Sequence, residues 1–476
     1  MMKRRRAIQG ITAGAAGFIS SLGGETRAAM VAEVDTYGGW KGRSFSATGA
    51  FRIEKDDGRW WFVTPEGNAF LSWGINHLYP DLWNQDYNRE AWKTKLGVPR
   101  LVGPEFNSAL RKWFKQTCER FGFNTVGVHN ALQIVNAPRP SMPYMQPIRF
   151  VDIPHWKKEV PDENFPDLFA KEFETHCDRL AKEIALPAKD DSFLLGYSMT
   201  DCPLFTEEDL RERTDVIGGE RREARIGWPR RLRNFGVKSA GKAAYVETMQ
   251  QLYRNEIQAF NSTYGTKFES FDALLAAEDW RPSTQLSNAN ETRDNLVFLQ
   301  KCVARYYQVT KDAIRRYDDR HLFFGDKLNA NSDSLDTVLP ITARYTDLVF
   351  YQMYAKYEVQ KPGLDRWSKL TDKPFVNGDS AFTMTTEIMP RPYGPVADNL
   401  QQRADWTAEF FLKSFARPNF IGWHYCGLID APILVSRKKG RQHSGLMDGF
   451  GNAYPALETV LRQAAQQIYS IGSGKP

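Results

Sequence analysis

Eight short apolar runs, most of them separated by stretches of helical periodicity, constrain this chain more than any other feature. They are Phe70–His77, Phe123–His129, Pro143–Ile153, Phe193–Asp201, His321–Leu328, Asp347–Tyr354, Pro374–Ser380 and Phe420–Cys426. Several are continuously apolar, as expected of strands buried on both faces of a parallel sheet. Pro104–Phe121, Phe169–Leu186, Asp294–Tyr317, Asn399–Phe415 and Pro455–Ile471 carry apolar residues at three- and four-residue spacing, which marks helices with one buried face. Eight βα repeats predict an α/β fold, a closed (β/α)8 TIM barrel rather than a doubly wound sheet. Ahead of the barrel, Phe51–Leu78 alternates in short bursts around Asp57-Gly58 and Glu66-Gly67-Asn68, predicting a short N-terminal β-hairpin. Residues 30–476 read as a single barrel, because folds of this kind reach such lengths as one unit.

Residues 1–29 read as an export leader and not as part of the fold. Lys3-Arg4-Arg5-Arg6 precedes an Ala/Gly-rich apolar run from Ile11 to Leu22, and Thr26-Arg27-Ala28 offers a small-x-small cleavage site. Paired arginines before a mildly apolar stretch mark the bacterial twin-arginine route. The run is too short and glycine-rich to span a bilayer well, so the expected mature protein is periplasmic or secreted and has no membrane partner. The leader also relocates the charge. Five basic residues against Glu25 give Met1–Ala28 a net +4 of the chain's formal +6.

Between the fourth and fifth runs lies a long, largely helical insertion, Cys202 to Arg320, far above ordinary loop length. It contains an arginine-rich segment, Glu220–Gly236. Such a run suits an anionic polymer or, more commonly, a solvated charged face. The five cysteines are scattered, with no C-x-x-C or His-rich pairing, so they read as free thiols and not as a zinc site or disulfide framework. No phosphate-binding glycine motif occurs. No metal or organic cofactor is implied, and no nucleic-acid partner is expected.

In a barrel of this kind, function gathers where strands end. Those positions hold Asn76 and His77, His129 and Asn130, Thr200 and Asp201, Asp326 and Lys327, Tyr351 and Tyr354, Asp379, and Trp423, His424 and Tyr425. Singly, each has a structural explanation in core packing or charge balance. Together they form a polar rim suited to a polar ligand. Glycosidic bonds are cleaved by two carboxyl groups, and Asp201 and Asp379 are the best-placed pair. Each follows a buried-looking run, so desolvation would raise an acid's pKa there. Trp423 and Tyr425 would offer a stacking floor for a sugar ring.

Seven stretches, in order, carry a family likeness: GAFRIEKDDGRWWFVTPEGNAFLSWGIN (Gly49–Asn76), RFGFNTVGV (Arg120–Val128), LLGYSMTDCP (Leu194–Pro203), DAIRRYDDRHLFFGDKL (Asp312–Leu328), DLVFYQMY (Asp347–Tyr354), KPFVNGDSAF (Lys373–Phe382) and HSGLMDGFGNAYP (His443–Pro455). With them the chain resembles the β-agarase-like glycoside hydrolases related to family 50, which belong to a clan of retaining (β/α)8 enzymes. The resemblance implies a polysaccharide or oligosaccharide substrate, such as an agarose-like galactan. It places an acid/base Glu in an Asn-Glu pair after strand four and a nucleophile Glu after strand seven. Both glutamates are missing. Gly378-Asp379 matches the nucleophile position, while either Asp201 or Cys202 matches the acid/base. A thiol is a poor general acid for a sugar oxygen, which favours Asp201.

Each Glu→Asp change withdraws a carboxylate by about 1.5 Å. On an unaltered backbone, two such changes could widen a retaining pair, ~5–5.5 Å, into the inverting range of ~6.5–9.5 Å, while backbone shifts could equally restore the retaining distance. Two further functions compete with a hydrolase. One is a carbohydrate-binding barrel without catalysis; the other is a lyase using His129, His424 or a tyrosine as base.

Overall fold

The computed structural model describes residues 32–473, apart from 80–81, 131–140, 152–165, 204, 206–214, 218–219, 223–227, 279, 281–288, 331–334, 391–393 and 431–443. The export leader read at 1–29 lies outside the described residues.

Four strands precede the barrel: β1 (Trp40–Ser44), β2 (Arg52–Asp56), β3 (Arg59–Val63) and β4 (Asn68–Phe70). They form an antiparallel sheet in the order β1-β4-β3-β2. The expected hairpin is present, with Asp56 paired to Arg59 across the Asp57-Gly58 turn. One face of this sheet packs on the barrel, where the Phe62 ring stacks on Phe324 at 6.1 Å. At its edge, the Trp60 amide donates to the Pro418 carbonyl.

All eight apolar runs yield barrel strands: β5 (Ser72–Ile75), β6 (Thr125–Val126), β7 (Tyr144–Pro147), β8 (Leu194–Asp201), β11 (Leu322–Asn329), β12 (Val349–Gln352), β13 (Phe375–Ser380) and β14 (Phe420–Tyr425). They close in parallel, β14 pairing with β5 and β8 with β11. Two strands are much shorter than the runs that announced them. β6 stops before His129, which has φ +61°, and β7 stops at Pro147, which has no amide to continue a ladder. The barrel interior is filled by large side chains set against small ones. A Cβ at Gly378 would overlap the Phe350 ring, so a larger residue on β13 would displace that core aromatic.

The helices match the apolar spacing. Gly103–Phe121 buries Phe106, Leu110, Phe114, Thr117, Cys118 and Phe121, and Lys171–Ala188 buries Phe173, Cys177, Ala181, Ala185 and Ala188. Outside β14, Trp423 sits under the helix Leu400–Phe415, with Phe410 at 4.6 Å and Trp73 at 4.9 Å. All five cysteines are free and buried.

Among the described residues the insertion contributes a β-ribbon, β9 (Asp215–Ile217) with β10 (Glu220–Arg222), and four helices, Trp228–Arg233, Ala240–Leu252, Ile257–Tyr264 and Phe271–Ala276. Its last portion, Ala289–Arg315, is a barrel helix that packs beside Lys171–Ala188. Of the arginines whose side chains are described in the arginine-rich segment, Arg231 is half-buried, while Arg230 and Arg233 depart from both sequence readings. Arg230 and Arg233 are buried and share Glu291 Oε1, at 3.2 and 2.8 Å. The Arg233 guanidinium also lies 4.6 Å over the Trp280 ring. These two charges hold the insertion together and present nothing to an anionic polymer.

The Trp73–Trp423 contact joins the first and last barrel strands, so it bears on closure. Trp73→Ala is expected to cost about 3–5 kcal/mol, read from the midpoint of urea unfolding; a loss under ~1 kcal/mol would contradict this packing account.

Candidate active site

The site is built on a cation held between two carboxylates. Lys327 Nζ lies 2.7 Å from Asp379 Oδ2 and 3.0 Å from Asp201 Oδ1. It also lies 2.8 Å from His129 Nε2. His77 Nε2 approaches Asp379 Oδ2 at 3.5 Å. The two imidazoles stack at 4.8 Å with an 18° interplanar angle. Asn76 completes the support of Asp379, its side-chain amide donating to Asp379 Oδ1 (3.1 Å) and to the Gly378 carbonyl (2.7 Å). Residues from β5, β6, β8, β11 and β13 thus meet at the strand C-termini, as the barrel rule predicts.

Two local distortions aim these side chains. His77, His129 and Cys202, each just beyond a barrel strand, have φ of +60°, +61° and +48°. Left-handed backbone at non-glycine residues costs of order 1–3 kcal/mol and clusters where a fold positions functional groups. On β11, Gly325 has φ +72° and the pairing with β8 shifts register. Around this irregularity Asp326 turns away from the cleft and Lys327 turns into it.

The protonation states follow from burial and charge. Burial pushes the Asp201 carboxyl up, but Lys327 and His129 pull it down and prevail, leaving it well below the usual range. Asp379 is also held well below, against burial, by Lys327 and His77. Lys327 in turn is raised by the two carboxylates despite full burial. Burial and the neighbouring ammonium lower His129, so its neutral ring accepts from Lys327 through Nε2. In this state both carboxyls are ionised and share one ammonium.

A cleft of about 410 Å³ opens onto this cluster, lined in part by Tyr79, His129, Asn130, Arg149, Asp201 and Lys327. A larger hollow of about 670 Å³ lies between the helices Ala289–Arg315 and Leu335–Thr342, but it holds none of these groups. The cleft beside the ion cluster is therefore the better candidate site.

Several residues expected at the site do other work. Asp326 is fully buried behind the strands, where Oδ1 accepts from the Thr200 amide (2.9 Å) and the Tyr306 hydroxyl (3.1 Å). Trp423 and Tyr425 provide no stacking floor, for both are sealed in the outer layer. The Trp423 indole donates to Ser380 Oγ and Arg403 donates to the Tyr425 hydroxyl. Tyr351 is likewise outside the barrel, donating to Gln360. His424 faces inward but lies beneath the site, its Nε2 2.9 Å from Ser72 Oγ, and burial pushes it down to about 3. Asn130 braces the loops, bonding the Ile75 and Gly127 carbonyls and the Leu78 amide. Tyr354 is half-buried beside the Cys426 thiol, which also meets Asp379. Tyr79 and Arg149 went unread because they lie past the strand ends, in loops whose path the apolar pattern does not encode.

Asp201 Oδ1 and Asp379 Oδ2 both touch one nitrogen, at 3.0 and 2.7 Å, so the sum of those two contacts is the upper limit of their separation.

A closed parallel barrel with paired carboxylates at its strand C-termini defines the general class. The comparisons sharpen it. No protein-family model matches the chain. It is 22% identical over 499 residues to beta-agarase B of Vibrio sp. (strain JT0107), covering 91% of this chain and 50% of that protein. It is 21% identical over 479 residues to beta-agarase A of the same strain, covering 87% and 45%. The chain thus spans about half the length of the curated relatives it matches. In structure it is similar to an exo-beta-agarase (TM-score 0.72, 18% identity, 97% of this chain and 70% of that one). It is also similar to PfGH50B (TM-score 0.73, 17% identity, 98% and 73%). The chain is agarase-like in sequence and in fold.

The buried Asp326 carboxyl gives a testable pH dependence. Burial raises it to about 7, so the folded state binds a proton that the unfolded chain releases near pH 4. This contribution to stability is complete below that pH and is lost as pH rises through about 7. Asp326→Asn should remove the decline in melting temperature between pH 5 and 8 attributable to this group; an unchanged pH profile would show that Asp326 does not titrate there.

Proposed function

We propose that the protein is an exported glycoside hydrolase that cleaves a β-linked, agarose-like galactan with retention of configuration. Asp379 acts as nucleophile and Asp201 as general acid/base. The observation that carries this reading is the pair of carboxylates, under ~6 Å apart, at the ends of β8 and β13. The sequence and fold similarity to agarases supports the substrate class. Residues 1–29 serve as a cleaved twin-arginine leader, and the remainder acts as one catalytic barrel.

The arrangement suits the two roles unequally in the resting state. Asp379 is ionised and oriented by Asn76, as a nucleophile must be. Asp201 is ionised too, because Lys327 is beside it. A sugar entering between the carboxylates would push the ammonium away from Asp201 while it keeps its shorter contact with Asp379. Burial, which is the largest influence on Asp201, then favours the protonated acid that can donate to the leaving oxygen. Cys202, the alternative acid/base, is fully buried, and burial pushes its thiol well above the usual range. His77, His129, Tyr79 and Arg149 would bind sugar hydroxyls.

A second reading has one observation in its favour. The Lys327 ammonium occupies the space between the carboxylates, as in a barrel that binds glycans without cleaving them. Incubating the chain lacking residues 1–29 with β-linked galactans, with reducing-end detection, separates the two. The hydrolase releases new ends, its product keeps the anomeric configuration by NMR, and Asp379→Asn lowers turnover on the order of 10³-fold or more. Inverted product would reject the retaining assignment. Binding without turnover, unaltered by Asp379→Asn, would establish the binding protein instead.

A further inference from the structure

The ion cluster has a second chemical character that glycan cleavage does not require. His77, His129 and Asp379 each offer one ligand atom, all within 4.8 Å of one another. His77 Nε2 and His129 Nε2 lie 3.5 and 3.9 Å from Asp379 Oδ2. In a tetrahedral zinc site with bonds of ~2.0–2.2 Å, neighbouring ligand atoms are ~3.3 Å apart. The two histidine–carboxylate pairs need to close by about 0.2 and 0.6 Å to reach that spacing, and the stacked imidazoles must turn so that both ring nitrogens converge on one ion. Each imidazole reaches the site from left-handed backbone.

We propose that His77, His129 and Asp379 form a binding site for a divalent transition metal of the zinc class. Two imidazoles and one carboxylate suit zinc, cobalt or nickel better than calcium or magnesium, which demand mostly oxygen ligands. The position is already shaped for a cation, because the Lys327 ammonium sits 2.7 Å from Asp379 and 2.8 Å from His129. Metal and ammonium compete for those two groups. On metal binding Lys327 retreats to Asp201, its remaining partner at 3.0 Å, and water takes the open coordination position.

This inference does not rest on the hydrolase reading, since a metal would bind whether or not a glycan is cleaved. If both hold, zinc occupies the nucleophile and inhibits hydrolysis. The test is calorimetric titration of the chelator-treated, tag-free protein with zinc chloride, repeated with cobalt chloride and read by visible absorption. One ion should bind, with cobalt showing the intense bands of a low-coordinate site. His77→Ala and His129→Ala should each weaken binding by ~10-fold or more, while Lys327→Met, which removes the competing charge, should strengthen it. Melting curves confirm that each variant is folded. Failure of zinc to bind both the parent and Lys327→Met, or binding indifferent to both histidine substitutions, would overturn the proposal.

Discussion

The ammonium of Lys327 governs the chemistry of this protein. Two ionised carboxylates on opposite sides of a barrel mouth would repel one another in a place largely sealed from water. An isolated buried charge costs several kcal/mol even after relaxation. One lysine on β11 relieves both difficulties at once and ties β6, β8, β11 and β13 through their terminal residues. Everything around it serves to hold that nitrogen in place. The register shift beside Gly325 turns it inward, Asn76 fixes the far side of Asp379, and Asp326 anchors the Thr200 amide next to Asp201.

Much of the barrel was legible because strands buried on both faces must be continuously apolar, and eight such runs have few other uses. The rim was legible only in part. Adjacent strand residues point to opposite faces, so a pair such as Asp326-Lys327 or Trp423-His424 can send only one member toward the interior. Naming both members therefore included residues that belong to the outer layer. Asp201, Asp379, Lys327, His77 and His129 come together; Asp326, Tyr351, Trp423 and Tyr425 do not. Which member faces inward depends on bulges and left-handed residues, and these are settled by tertiary packing that no local pattern records.

Charge behaves in a similar way. The arginine-rich insertion looks like a surface feature in the sequence, yet Arg230 and Arg233 are interior and share one glutamate. A run of like charges signals a surface only when no partner lies far along the chain. Here Glu291, at the start of a barrel helix, is that partner, and the insertion is fastened to the barrel through it.

The five unpaired cysteines carry a practical consequence. They are spread over the helices Gly103–Phe121, Lys171–Ala188 and Ala289–Arg315 and the ends of β8 and β14, and every one is buried. No disulfide joins any two of them, so reduction breaks no bond in the folded state. Each thiol meets an alkylating reagent only when its own part of the wall opens. Tracking the order in which the five are modified would chart, segment by segment, how the barrel comes apart.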